Sequence, residues 1–418
     1  MQNQQKIVNI LLMKGVAVPN GEGRPALVPL RAAEAETCGG KAGALGGLLR
    51  AGLPVPDGFV LPFDAYRAAV RGAAERPPAT PPFPAWLRAP LGRALAGLGE
   101  RPLAVRSSAA HEDGAGASAA GQHESVLAVR GAADVIDAIR VCWTSLHTPR
   151  ALAYRGRRVA EPLMAVLVHR LVDAEVSGVL FTGAGPRDEV RIEAARGLGT
   201  GVVGGTVTPD AYRVGADGSV SRVPGVQPTR LDRDGDRLVS RPVPAADLGR
   251  PVLDDAIAGR LARLGRAVTE RLGGARDIEW AVADGRPWVL QARPVTVRPP
   301  APPPARGHPA PGTLTGTPGS RGTATGVARV LRTPTDLGRV RPGCILVCPH
   351  TDPSWTVLLR AVAGVVTEVG GVLSHAAIVA REQGVPAVLG VPDATSLIRD
   401  GSRISIDGTT GAITTVSP

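Results

Sequence analysis

Lysine is almost missing from this chain. Of its 48 basic residues only Lys6, Lys14 and Lys41 are lysine, and the remainder are arginine. Aromatics make up 3% of 418 residues, so the cores must be built from alanine, valine and leucine, within an apolar content of 44% that is ordinary for a globular protein. Four cysteines (Cys38, Cys142, Cys344 and Cys348) lack the spacing of a disulfide framework or a zinc site. Cys344 and Cys348 bracket "CILVC", a strand-like run whose residues four apart face one way, which reads as core. No apolar run reaches the ~18 residues of a membrane span. The opening "MQNQQKIVNILLMKG" has too short an apolar stretch and no clear cleavage site for a secretory signal. Net charge is +11, but the arginines are scattered and form no dense basic run of the kind nucleic acid attracts. The expectation is a reduced, cytoplasmic protein with no nucleic-acid or membrane partner.

The length suggests two or three domains, and one boundary is plain. Residues 298–312, "RPPAPPPARGHPAPG", hold seven prolines in fifteen positions. Such a segment favours extended polyproline II and spans roughly 45 Å at about 3.1 Å per residue. It reads equally as a passive spacer or as a semi-rigid arm that lets a domain travel. Before it, helix patterns at 42–52, 132–146 and 254–273 alternate with strand patterns at 102–109 and within 164–183. Residues 277–295 read as a hairpin turning at Asp284-Gly285. After it come three strands, a helix over 375–383 and a closing hairpin, "RISIDGTTGAITTV". The expected fold class is α/β (α+β). The division is an extension over 1–29, a large domain over 30–297, the linker, and a small domain over 313–418.

The stretch "GGVLSHAAIVAREQG" carries the sharpest chemistry. Gly370 and Gly371 permit a tight strand-to-helix turn. Ser374 is placed as an N-cap whose hydroxyl accepts from an early helical N–H, and Gly384 suits the helix end. His375 then lies in the first turn, where free N–H groups and the positive end of the dipole suit phosphate and disfavour imidazolium. A neutral histidine there is a nucleophile able to attack phosphorus and then hold the anion. On spacing alone, a structural histidine in a capped turn is the commoner reading.

The segment "TEVGGVLSHAAIVAREQGVPAVLGV" (367–391), with "TDPSWTVLL", "GTPGSRGTATGVARVL" and "DGTTGAI", closely resembles a phosphohistidine swivelling domain. That domain belongs to the family of phosphoenolpyruvate synthase, pyruvate phosphate dikinase and rifampicin phosphotransferase. The resemblance covers essentially the whole C-terminal domain and implies that His375 is the phosphorylated histidine. Several blocks across 30–296 resemble the ATP-grasp half of the same enzymes. "CGGKAGALGG" places Lys41 behind two glycines, as a nucleotide-contacting lysine; "LAVRSSAAHEDGAGASAAGQHES" supplies Arg106 and a phosphate-covering loop with Gly121 and Ser125. "DIEWAVADGRPWVLQARPV" brings Glu279, Gln291 and Arg293 to one face of a hairpin. The resemblance implies that Glu279 and Gln291 ligate Mg²⁺, which favours hard oxygen donors, and that Arg293 neutralises the transferring group. Several positions depart from the family pattern, among them Ala119 in the phosphate loop, where an aromatic is common, and the small-residue stretch "FTGAGP" (181–186). His169 stands in "VHRLV" where glutamine is usual in the nucleotide site, and Thr200 closes "GLGT" where an acid is usual.

The implied activity is that of an ATP-dependent dikinase-type phosphotransferase. His375 is transiently pyrophosphorylated, AMP and phosphate are released, and the remaining phosphoryl group passes to an acceptor. Neither the pyruvate barrel nor the drug-binding domain of the family is recognisable, which leaves three readings. One is a compact phosphotransferase acting on an antibiotic or other secondary metabolite. Another is the donor and carrier subunit of a split enzyme or phosphorelay, with the acceptor domain on a separate protein. The last is a non-catalytic nucleotide-binding regulator.

Overall fold

A computed structural model describes residues 27–71, 81–110, 123–148, 151–152, 162–185, 187–300, 313–351 and 355–416. The chain begins there with β1 (Val28–Pro29), helix α1 (Ala35–Arg50), β2 (Gly58–Leu61), α2 (Phe63–Val70), α3 (Arg88–Leu98), β3 (Leu103–Ala109), β4 (Ser125–Val129), α4 (Gly131–Ser145) and β5 (Met164–Arg170). The five strands form an antiparallel sheet in the order β1-β2-β5-β3-β4. The unbroken apolar run of β5 follows from burial of both its faces. Ala165 and Leu167 point into one core with α1, while Met164, Val166 and Val168 point into a second core with α2, α3 and α4. That alternation puts His169 on the α1 side, opposite Ala104 of β3, with Arg106 two residues further along β3 on the same face. The sheet starts at Val28, inside the segment set apart as an N-terminal extension.

A second antiparallel sheet has the order β13-β12-β6-β7-β8-β9. Its strands are β6 (Val176–Phe181), β7 (Val190–Arg196), β8 (Asp210–Val214), β9 (Val220–Val223), β12 (Arg276–Ala283) and β13 (Arg286–Pro294). A separate hairpin pairs β10 (Thr229–Asp234) with β11 (Arg237–Pro242). The short helix α5 (Thr200–Val203) follows β7, and α6 (Asp255–Leu272) precedes β12. The β12–β13 hairpin turns at Asp284 and Gly285, whose φ values are 50° and 65°, the two positive angles a tight hairpin turn requires.

The C-terminal part is built on an eight-stranded mixed sheet, β14-β21-β20-β16-β17-β18-β19-β15. Its strands are β14 (Leu314–Thr315), β15 (Thr317–Ser320), β16 (Thr323–Val330), β17 (Ile345–Cys348), β18 (Gly364–Thr367), β19 (Ala387–Leu389), β20 (Arg403–Asp407) and β21 (Ala412–Thr415). Its helices are α7 (Thr356–Leu359), α8 (His375–Gln383) and α9 (Ala394–Leu397). β17 is buried on both faces: Ile345 and Val347 enter one core, while Cys344, Leu346 and Cys348 enter the other. The strand β18, helix α8 and parallel strand β19 make a crossover unit, and His375 opens its helix.

Candidate active site

The second sheet presents a polar row on one face. Across β13, β12, β6 and β7, Gln291 lies opposite Glu279, Glu279 opposite Val179, and Val179 opposite Glu193. Two residues away along the paired strands β12 and β13, Asp277 lies opposite Arg293. Period-two alternation puts all of these side chains on the same face. Between this face and the first sheet lies a cavity of about 320 Å³. Its walls include Lys41, Arg106, Ser125, His169, Glu279, Gln291 and Arg293, together with His375 from the C-terminal part. Eight of the nine residues singled out in the sequence therefore converge on one space. The ninth, Gly121, lies outside the described residues.

Lys41 is 4% exposed and donates from Nζ to the carbonyl of Ser107 at 2.7 Å. It stands within α1 rather than on an open loop: the helix kinks at Gly39 (φ 81°) and continues through Lys41. The kink lets α1 press on β3, since a Cβ at Gly39 would meet the Ser108 carbonyl oxygen at 2.4 Å. Arg106, next to Ser107 on β3, reaches across to the second sheet. Its Nη2 donates to Glu279 Oε2 and to Gln291 Oε1, both at 2.8 Å, and its Nη1 donates to the Leu290 carbonyl at 2.6 Å. Arg293 Nε donates to Asp277 Oδ2 at 2.7 Å, a pair in which both side chains are under a tenth exposed. Burial pushes Glu279 upward, but the charges of Arg106, Arg293 and Lys41 outweigh it and hold its carboxyl below the ordinary value. Asp277 goes the other way, because burial exceeds the effect of Arg293.

The donor set fits a magnesium ion. One carboxylate oxygen and one amide oxygen converge on a single cationic nitrogen, which marks a point where both can face positive charge. Among the described residues no group of three or more His, Cys, Asp or Glu side chains could hold a metal. A two-ligand site suits Mg²⁺, which keeps waters and takes phosphate oxygens as its remaining ligands. His169, in the same cavity wall, is 3% exposed. Burial first, then the charges of Arg106 and Lys41, lower its pKa to about 4, so the ring is neutral at pH 7. Its Nδ1 lies 2.9 Å from the Arg170 carbonyl, which only a donor can satisfy. Nε2 is then a bare acceptor, buried and without a hydrogen-bond partner among the described residues. Leu171, Val172, Leu198 and Leu290 supply an apolar wall beside it, the lining a nucleobase requires. Thr200, another departure from the family pattern, begins α5 and lines the same cavity.

His375 is 3% exposed, and its Nε2 lies 3.3 Å from the Thr356 hydroxyl. The turn before it differs from expectation in one respect. Ser374 occupies the N-cap position but makes no side-chain cap bond. Its Oγ donates instead to the Gly371 carbonyl at 2.8 Å, which tightens the turn. Gly370 takes φ 111° and Gly384 ends α8 in the left-handed region at φ 67°, as anticipated. Leu373 and Ile378 pack with Val179, Phe181, Ala195, Val202 and Val207, an apolar contact that joins α8 to the second sheet. Cys348, by contrast, is core: burial drives its thiol far above the ordinary range.

Two residues of this region were not singled out in the sequence. Asp277 could have been, because it lies two residues before Glu279 and so shares its strand face. Glu193 could not, because "VRIEAAR" carries too many charges to read as a buried strand.

Comparison with known proteins gives the family. Residues 79–306 match the pyruvate phosphate dikinase AMP/ATP-binding domain, and residues 340–411 match the mobile domain of PEP-utilising enzymes. A probable phosphoenolpyruvate synthase from Methanothermobacter thermautotrophicus is 37% identical, over 74% of this chain and 46% of its own length. One from Archaeoglobus fulgidus and a phosphoenolpyruvate synthase from Aeropyrum pernix are each 34% identical, over 90% of this chain and 56% of their own lengths. The chain spans about half the length of these curated relatives. With a nucleotide-domain match covering more than half of its residues and a mobile-domain match around the histidine, the chain belongs to the phosphoenolpyruvate synthase and pyruvate phosphate dikinase family.

Proposed function

We propose that this chain loads a phosphoryl group from ATP onto His375 and carries it to a small-molecule acceptor. The observation that carries this reading is the position of the His375 ring in the wall of the cavity that holds Lys41, Arg106, Glu279, Gln291 and Arg293. A nucleophile buried against a cationic, two-oxygen site has no evident structural purpose there. Lys41 and Arg106 neutralise the phosphate chain, and Arg293 does so where charge shifts during transfer. The apolar wall and the His169 acceptor hold a base bearing an amino group, such as adenine. Glu279 and Gln291 would hold Mg²⁺, which when bound shields the phosphate oxygens from the attacking nitrogen. Little covalent work is left to the protein, and rate comes from positioning and charge neutralisation.

In the first step an imidazole nitrogen of His375 forms a bond to the β-phosphorus, the bond from that phosphorus to the α-phosphate oxygen breaks, and AMP leaves. The terminal phosphate is next lost to water or to inorganic phosphate. The phosphoryl group left on nitrogen then passes to an acceptor oxygen. The names of the relatives support pyruvate as that acceptor, in preference to the antibiotic or secondary metabolite expected from sequence. With Mg²⁺ and ATP labelled at the β-phosphorus, the protein should take up one acid-labile label and release AMP, and His375→Ala should take up none. Label retained in His375→Ala, or absent from the wild type, refutes the reading.

A further inference from the structure

Glu193 sits in the middle of β7 and is 2% exposed, yet its carboxylate faces the backbone of the other domain. Its Oε2 accepts the Leu373 amide at 3.1 Å, and the carboxylate also takes the Val372 amide. A Cβ on Gly371 would meet the two carboxylate oxygens at 2.3 and 2.4 Å, so only glycine admits the carboxylate to this turn. From the other side, Arg381 of α8 is 7% exposed and donates from Nη1 to the Val372 carbonyl at 2.7 Å and to the Gly319 carbonyl at 2.9 Å. Its Nε and Nη2 have no hydrogen-bond partner among the described residues, and its charge acts on Glu193 and Asp277 across the domain contact. Val372 is thus gripped by its carbonyl from within its own domain and by its amide from the other. His375 follows three residues later.

We propose that Glu193 is a positioning residue for phosphoryl loading, a latch that seats the Gly371–Leu373 turn and thereby holds His375 in the nucleotide cavity. The proposal rests on the loading reaction proposed above and adds to it the group that holds the mobile histidine in place. A carboxyl suits this role because its carbonyl oxygen, with two lone pairs, goes on accepting from the turn's amides when the group is protonated. Neighbouring backbone N–H groups would otherwise be buried without partners, which is costly.

The latch makes docking sensitive to pH. Burial lifts the Glu193 carboxyl from about 4.5 to about 7, against the lowering effect of the two amides and of Arg381. The charged groups acting on it are Arg381 from α8 and Asp277 from β12; Arg191, two residues away on its own strand, acts on Arg381. Released into water, the carboxyl returns toward its ordinary value. Docking therefore takes up a proton, is strongest below about 4.5, and weakens as pH rises through about 7.

The test is single-turnover labelling of the full chain from β-labelled ATP with Mg²⁺, between pH 5.5 and 8.5, with ATP affinity measured alongside. Glu193→Ala and Gly371→Ala, on opposite sides of the contact, should slow labelling at least tenfold and leave ATP affinity within threefold. Glu193→Gln keeps an acceptor oxygen and should restore labelling to within threefold at pH 6. The ratio of wild-type to Glu193→Gln rates should then fall as pH passes 7. Wild-type rates in Glu193→Ala or Gly371→Ala overturn the latch, as does a Glu193→Gln protein that keeps the wild-type pH profile. A wild-type protein that takes no label overturns the loading reaction itself, and the latch with it.

Discussion

His169 Nε2 is an acceptor with no hydrogen-bond partner among the described residues, in a ring held neutral by burial and by two neighbouring cations. Its folded pKa of about 4 lies below the ordinary 6.5. The unfolded chain therefore gains a proton as pH falls through 6.5, while the folded chain resists until about 4. This contribution to stability is full above pH 6.5 and drains away on acidification. At about 1.4 kcal/mol per unit, the loss is on the order of 3 kcal/mol by pH 4. Urea midpoints at pH 7 and pH 4.5 should show His169→Gln losing less stability on acidification than the wild type; equal losses would disprove the assignment. At this scale the sequence was informative wherever chemistry is packed into a short string. Lys41, Arg106, Glu279, Gln291, Arg293 and His375 all lie in such strings, and all reach one cavity. The Ser374 hydroxyl was misread because cap preference is local, whereas its actual acceptor is fixed by the shape of the turn.

Among the elements, α6 is the best defined in sequence. Ala258, Leu261, Ala262, Leu264, Gly265 and Val268 are buried at helical spacing, and Asp254 Oδ1 accepts the Ile257 amide at 2.7 Å. Asp254→Ala should cost about 1 kcal/mol, read as a fall in the thermal midpoint with no change in ATP affinity. A change below a few tenths would mean that the cap is redundant. The β12–β13 hairpin and α8 were equally legible, through their turn residues and glycines. The strands β7 to β11 were not. "VRIEAAR", "DAYRV" and "TRLDRD" put arginine and acid where a strand pattern needs apolar residues. Their charges find partners in the folded sheet, as in Arg222 with Asp210 at 2.9 Å and Arg213 with Glu189 at 2.8 Å. Only the folded sheet reveals those partners.

For the whole molecule, the decisive contact is between α8 and the second sheet. Leu373 is 1% exposed within the apolar cluster that spans it. Leu373→Asp would bury an unpaired charge there, a cost of several kcal/mol that undocking avoids. Small-angle scattering should show a larger radius of gyration for Leu373→Asp than for the wild type, and His375 labelling should fall at least tenfold. An unchanged radius with normal labelling would show that the contact is dispensable. Sequence could suggest travel, through the prolines of 298–312, but not the docking surface, which is assembled from residues more than 150 positions apart.

The enclosure of His375 also orders events in time. On the proposed function, a ring 3% exposed in the wall of the cavity has no open side for a second reactant while ATP fills that cavity. Donor and recipient then never share the ring, and each visit must finish before the next begins. On the proposed function the protein works as an airlock, in which the inner door has to shut behind AMP before the outer one can open.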